Sequence, residues 1–197
     1  MTFMIWGCLE GLGFHLLQRL LEQGVKVIGI DKLTKQKETV YLYVGRNANF
    51  SFYESIEECL QEEEDKVRAI FVMEQNGVQV PYERLQSLSS TSRIRFVFNG
   101  SKPTPMEGWT TVWGPSLYGP WIDTPVEELG EESIPVEDFL PRIVNEEDYN
   151  EKTLVTVGMD DCGDKEHDIE LGRSVAYDKR KQAYLKHRQQ FAGYYTS

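Results

Sequence analysis

Short apolar runs alternate along this chain with stretches in which apolar residues recur every three or four positions. The first run, Met4–Trp6, begins almost at the first residue. It is followed by Phe14–Gln23, whose apolar residues have the spacing of one helix face. After Gly24 a second run, Val25–Ile30, ends at Asp31 and has the composition of a strand buried on both faces. The pattern predicts a strand, a helix and a second strand.

The same alternation continues through the next hundred residues. Lys32–Glu38 is predicted to be a polar loop. Further strands are predicted at Thr39–Val44, Val67–Met73, Ile94–Phe98 and Thr110–Trp113, and helices at Ser55–Glu64 and Pro81–Ser90. Strands that alternate with helices favour a parallel, doubly wound sheet, with Met4–Trp6 as a central strand.

The turn between the first strand and helix carries a glycine pattern. Gly7–Gly13 resembles the G-x-x-G-x-x-G fingerprint of the extended short-chain dehydrogenase/reductases, the NAD-dependent epimerase/dehydratase family. Gly7 and Gly13 match the first and third glycines, whereas Glu10 stands at the second and Gly11 follows it. Glycine there lets the backbone approach the phosphates, so a glutamate adds bulk and negative charge beside the pyrophosphate.

The resemblance implies a cofactor site in which Asp31 takes the adenine ribose hydroxyls and favours NAD over NADP. Two lysines that follow it, Lys32 and Lys35, could each bend back to neutralise a 2′-phosphate. The residues expected around a bound NAD are Gly7, Glu10, Gly11, Leu12, Gly13, Asp31, Lys32 and Glu74.

Later segments resemble those of the family in the same order. They are Arg68–Gln75, Arg93–Ser101, Trp109–Pro120, Ser133–Phe139 and Thr153–Gly158. The first ends in Glu74-Gln75 where the family has a pair of small residues beside the cofactor. The order implies a Rossmann-like domain over residues 1–163, followed by a basic, helical tail over residues 164–197.

The family's catalytic helix is missing from its usual place. Only residues 101–108 separate the serine from the next strand, and they hold two prolines and no tyrosine. The family carries its Tyr-x-x-x-Lys pair there, so we expect that the catalytic helix and most of the substrate domain are absent. Ser101 and Tyr118 are weak catalytic candidates. A Tyr-x-x-x-Lys at Tyr177–Lys181 follows the last predicted strand, and a solvated helix explains it better.

Composition narrows the range of partners. The net charge of −11 argues against nucleic acid and against anionic membrane surfaces. Three scattered cysteines favour reduced thiols and a cytoplasmic protein. His15, His167 and His187 lack ligand spacing, so no metal site is expected.

The segment Glu170–Phe191 reverses the charge of the rest and favours a contact with the acidic body or with a second subunit. Loss of the substrate domain predicts exposed apolar surface around Trp109, Leu117 and Trp121, and both features favour a homodimer.

Three functions are compatible with the sequence. The first is a non-catalytic NAD(P)-binding-fold protein with a binding or regulatory role, with or without a nucleotide. The second is an active reductase or epimerase with relocated catalytic groups. The third is a protein-interaction module without a small-molecule ligand.

Overall fold

The protein is described by a computed structural model that covers residues 2–62, 67–74, 79–98, 101–130, 132–143, 154–159, 169–171 and 177–195. The chain divides into two compact units. One comprises residues 1–96 with 107–109, and the other residues 97–106 with 110–197. The predicted domain boundary between residues 163 and 164 lies outside the described residues and stays a prediction.

The first unit alternates strands with helices. Its elements are β1 (Thr2–Trp6), α1 (Gly11–Glu22), β2 (Lys26–Ile30), α2 (Lys35–Val44), β3 (Phe50–Tyr53), α3 (Ile56–Glu62), β4 (Val67–Met73), α4 (Tyr82–Ser87) and β5 (Ser90–Phe98). Only the last two residues of β5 are assigned to the second unit.

The strands of the first unit confirm the predicted doubly wound sheet. They are parallel and lie in the order β5-β4-β1-β2-β3. The chain thus extends the sheet from β1 to one side and then returns to add β4 and β5 on the other. Met4 in β1 is paired with Ile28 in β2 and with Ile70 in β4, so the first strand is central. The order of the strands therefore reverses between β1 and β4. Doubly wound folds bind their ligands in the crevice at such a reversal.

The segment Thr39–Val44, predicted as a strand, is helical, and this prediction was wrong. Helix α2 begins at Lys35, inside the predicted polar loop, after Thr34, whose hydroxyl accepts a hydrogen bond from the Lys37 N–H at 3.4 Å. Val40 and Val44, four residues apart, are both buried, which is the spacing of a helix face. The β-forming residues between them are held in a helix by this packing, because tertiary contacts override propensity. The actual strand, β3, was missed.

The second unit contains β6 (Thr110–Gly114), β7 (Leu117–Tyr118), a 3₁₀ turn (Val126–Glu128), β8 (Ile134–Pro135), α5 (Val136–Ile143), β9 (Leu154–Met159), β10 (Ile169–Leu171), α6 (Tyr177–Gln190) and α7 (Ala192–Tyr195). Strands β10, β9 and β6 are parallel neighbours in that order, and β7 pairs with β8. Helices α6 and α7 fall within the segment 164–197, and so does the strand β10. The division of the chain into a domain and a helical tail stays a prediction. No helix in the described part of the chain is long and apolar enough to cross a membrane.

Candidate functional site

The glycine turn after β1 is built by close backbone contacts. Gly7 has φ of +79° and donates its N–H to the Ile30 carbonyl at 2.9 Å. A Cβ added to Gly13 would lie 1.9 Å from the Gly7 carbonyl oxygen, so only glycine lets α1 approach the turn this closely. Both fingerprint glycines therefore have a structural role whether or not a cofactor binds. Leu12, another predicted cofactor residue, is a buried residue of the same helix.

Glu10 occupies the second glycine position and precedes α1 in an extended conformation. Its carbonyl accepts the Phe14 N–H at 3.2 Å, but its side chain caps no helix N–H. The carboxylate instead forms an ion pair with the Lys37 ammonium at 2.6 Å. The charge that the sequence places beside the pyrophosphate position is thus neutralised by a residue of α2.

Asp31 is engaged on both carboxylate oxygens. Oδ2 accepts the Leu9 N–H at 2.9 Å, and Oδ1 accepts a hydrogen bond from Lys37 Nζ at 2.6 Å. The side chain of Asp31 is only 7% exposed and that of Lys37 only 13%. We refer to Glu10, Asp31 and Lys37 as the Lys37 cluster.

Lys37 is held in the charged state by its neighbours. Burial alone lowers the pKa of Lys37, but the negative charges of Asp31 and Glu10 outweigh this and raise its pKa above the usual value. The residue was missed from the sequence because it lay in a predicted loop. The contact between Lys37 and Asp31 could have been predicted only if residues 35–44 had been recognised as a helix. Lys32, the lysine that was predicted, is exposed.

A second polar group follows β4. Glu74 accepts a hydrogen bond from the Tyr82 hydroxyl at 2.8 Å and lies 3.6 Å from the guanidinium of Arg95, which is 6% exposed. Burial, together with the bond to Glu74, raises the pKa of Tyr82 above its usual range. The ring of Tyr82 meets that of Trp109 edge-on, with centroids 5.1 Å apart. We call Glu74, Tyr82 and Arg95 the Glu74 cluster.

Both clusters lie where the strands of the first unit end at their carboxyl edge. In doubly wound folds this edge binds the dinucleotide. Here the two acids nearest the predicted adenosine and pyrophosphate positions are bonded to a lysine, and Glu74 is bonded to a tyrosine. Gln75, which was expected beside Glu74, lies outside the described residues. In this arrangement Lys37 neutralises the negative charges of Asp31 and Glu10, and both acids have it as a partner.

The catalytic candidates lie in different surroundings. Ser101 is exposed at the start of the segment 101–108, in which the described residues form no helix. Tyr118 is 1% exposed and packs against Tyr184 of α6, with ring centroids 5.9 Å apart. The Tyr177–Lys181 pattern falls on the first turn of α6, and the side chain of Tyr177 lies outside the described part.

The expected apolar patch is buried, and this prediction was wrong. Trp109, Leu117 and Trp121 are 3%, 4% and 7% exposed. Trp121 is covered by the C-terminal helices of its own chain. Its ring centroid lies 4.5 Å from His187, 4.7 Å from Phe191 and 5.2 Å from Tyr194. The tail therefore packs within the second unit, and this patch gives no support to a homodimer.

No group of metal-ligating side chains that could hold an ion is found among the described residues. No family model matches the chain, and no curated protein matches it. Many solved structures do match.

One of them is a UDP-glucose 4-epimerase from Thermotoga maritima with UDP-glucose (TM-score 0.65, 13% identity, 98% of this chain and 100% of that chain). Another is the yeast methylglyoxal/isovaleraldehyde reductase Gre2 with NADPH (TM-score 0.62, 13% identity, 98% and 100%). A third is a dTDP-glucose 4,6-dehydratase from Bacillus anthracis with NAD (TM-score 0.62, 10% identity, 99% and 98%). The chain has the Rossmann-like fold of the NAD-dependent epimerases and dehydratases. At these identities the likeness confirms the predicted fold.

Proposed function

We propose that this chain is a non-catalytic protein with an NAD(P)-binding fold, whose role is binding or regulation. The observation that carries the proposal is Lys37, which bridges Glu10 and Asp31 at 2.6 Å each. A dinucleotide that used Asp31 for its ribose would have to displace Lys37 from it. Separating Lys37 from Asp31 breaks one of the two ion pairs of a largely buried ammonium, and that cost is taken from the binding free energy.

The missing acid/base group supports the non-catalytic part of the proposal. A reductase or epimerase needs a hydroxyl within hydrogen-bond reach of its substrate, tuned towards neutral pH. The segment 101–108 supplies no tyrosine, and Tyr118 is buried against α6. We therefore expect no turnover of NAD with UDP-glucose, a ligand of the matched epimerase structure. Absorbance of the reduced nicotinamide measures a net oxidation of the sugar, and chromatography of the sugar nucleotide measures epimerisation, which returns the hydride and leaves no net reduced cofactor. A steady rate that Ser101→Ala abolishes would show an enzyme.

Calorimetry with NAD tests the role of the Lys37 cluster. Glu10→Gly removes bulk and charge and releases Lys37 from one partner, so we expect NAD to bind at least about tenfold more tightly than to the wild type. Glu10→Gln removes the charge but keeps the bulk, so it separates the effect of charge from the effect of size. Glu57→Gln, an exposed acid on α3, is the control for a lost charge. Wild-type binding as tight as that of Glu10→Gly would show that the cluster does not obstruct the cleft.

The proposed preference for NAD over NADP rests on Asp31. A carboxylate beside the ribose repels a 2′-phosphate, so the Glu10→Gly variant should bind NAD more tightly than NADP. Asp31→Asn in that background should remove the difference. If the Glu10→Gly variant bound NAD and NADP with equal affinity, Asp31 would not determine the choice of cofactor.

A second candidate function is a protein-interaction module without a small-molecule ligand, and α2 favours it. Leu42 is 74% exposed and Tyr43 59% exposed, which is unusual for large apolar side chains on neighbouring positions. The homodimer stays a proposal, and this pair is its best remaining support. Light scattering should give twice the chain mass of 22.8 kDa, and Leu42→Ser with Tyr43→Ser should give the monomer. A wild-type protein that scatters light as a monomer would contradict the proposed homodimer.

A further inference from the structure

The second unit contains a cavity of about 250 Å³ beside α6. Its walls come from the loop after β7, the start of α5 and one face of α6. Apolar groups dominate them: Pro120, Pro135, Val136 and Ala183, with Tyr118 at the buried side. We call this space the α6 cavity. It shares no residue with the Lys37 cluster, so it concerns a different site from the proposed function.

Three charged residues lie on the wall of the α6 cavity. They are Glu137, Lys179 and Arg180. The guanidinium of Arg180 contacts the Asp138 carboxylate and lies 3.4 Å from that of Glu137, so its charge is already matched within the unit. Lys179 is exposed and forms no ion pair with a described residue. Among the described residues on the cavity wall, Lys179 therefore presents an unmatched positive charge next to an apolar lining.

Size limits what the cavity can accept. Sites for drug-sized ligands usually measure about 300–1,000 Å³, so a space of about 250 Å³ suits one or two fused rings rather than a nucleotide sugar. Charge limits it further. Two acids, Glu137 and Asp138, lie close to Lys179 and would repel a phosphate dianion more strongly than a monoanion, which Lys179 can pair with by itself.

We propose that the α6 cavity binds a small aromatic carboxylate. The ring lies against Pro120, Pro135 and Val136, and the carboxylate pairs with the Lys179 ammonium at the mouth. The apolar walls supply affinity by removing ring surface from water, and Lys179 supplies the preference for an acid over a neutral molecule of the same shape.

The test uses 2-naphthoate as the probe and its neutral isostere 2-naphthamide as the reference, with binding measured by calorimetry on the intact chain. We expect naphthoate to bind about tenfold more tightly than the amide. Lys179→Met should remove this difference and leave the affinity for the amide unchanged. Lys186→Met, an exposed lysine of the same helix outside the cavity, should retain it.

Ala183→Phe tests the place of binding, because its ring would fill the cavity from an exposed position on α6 and should weaken both compounds about tenfold. Thermal melts by circular dichroism verify that each variant is folded. Equal affinities of the wild type for acid and amide, no binding of either, or a Lys179→Met variant that behaves like the wild type would each overturn the proposal. Unchanged binding to folded Ala183→Phe would do the same.

Discussion

At the scale of single residues, the turn after β1 shows how one glycine can be required by packing alone. Gly13 is required because the Gly7 carbonyl oxygen occupies the place that a Cβ of residue 13 would take. That contact fixes where α1 starts relative to β1. Packing alone therefore requires this glycine, whether or not a cofactor binds.

Gly13→Ala should destabilise the fold strongly. The added Cβ would meet the Gly7 oxygen at 1.9 Å, and backbone cannot yield as a flexible side chain can. We expect a loss of about 3 kcal/mol or more in the free energy of unfolding, measured by urea titration. Gly130→Ala, whose Cβ would meet nothing within 4 Å, is the control and should change stability by less than about 0.5 kcal/mol. Equal effects of the two substitutions would contradict the packing argument.

At the scale of elements, the C-terminal helices hold a loop of the second unit in place. Trp121 has φ of +63°, a conformation that costs a residue with a side chain about 1–2 kcal/mol. Its N–H donates to the Tyr195 hydroxyl at 2.8 Å, and the Tyr184 hydroxyl donates to the Thr124 carbonyl at 2.6 Å. Arg188 lies over the Tyr195 ring, 4.4 Å from its centroid. These contacts compensate the strain at Trp121.

The hydroxyl of Tyr195 gives this contact a pH dependence. Burial raises the pKa of Tyr195 from 10.0 to about 12, so between these values the folded chain keeps a proton that the unfolded chain has lost. The stability that this group contributes is therefore complete below pH 10 and declines as pH rises towards 12. Urea titrations of the wild type should show a steeper decline over this range than those of Tyr195→Phe. Tyr43→Phe, an exposed tyrosine, should follow the wild type, and parallel slopes in all three would argue against the effect.

At the scale of the whole molecule, burial of Trp121 by α6 and α7 predicts what removal of the tail will do. A chain that ends at Leu171 lacks both helices and exposes the Trp121 ring, which is 7% exposed in the intact protein. We expect light scattering to show aggregates of the truncated chain, and circular dichroism to show a lower melting temperature. A truncated chain that is monodisperse and melts like the intact protein would show that the tail does not support the second unit.

The sequence predicts most of the fold and less of the site, for a physical reason. Strands such as Val67–Met73 and the helix after Gly7 are specified by local periodicity, which needs no knowledge of neighbours. Residues 39–44 have strand-forming side chains, and only the packing of Val40 and Val44 against the rest of the first unit makes them helical. Lys37 depends on that helix, so the partner of Asp31 could not be read from residue types or spacing.

The order in which the chain is synthesised gives the Trp121 contact a further meaning. Trp121 contacts residues that lie more than sixty positions later in the chain, namely His187, Phe191, Tyr194 and Tyr195. During translation the loop therefore leaves the ribosome before these partners exist, and Trp121 then lacks the hydrogen bond to Tyr195 and the ring contacts with the C-terminal helices. The second unit can reach its final form only after synthesis has passed Tyr195. Until then a nascent chain displays an unshielded tryptophan, the kind of feature to which chaperones bind.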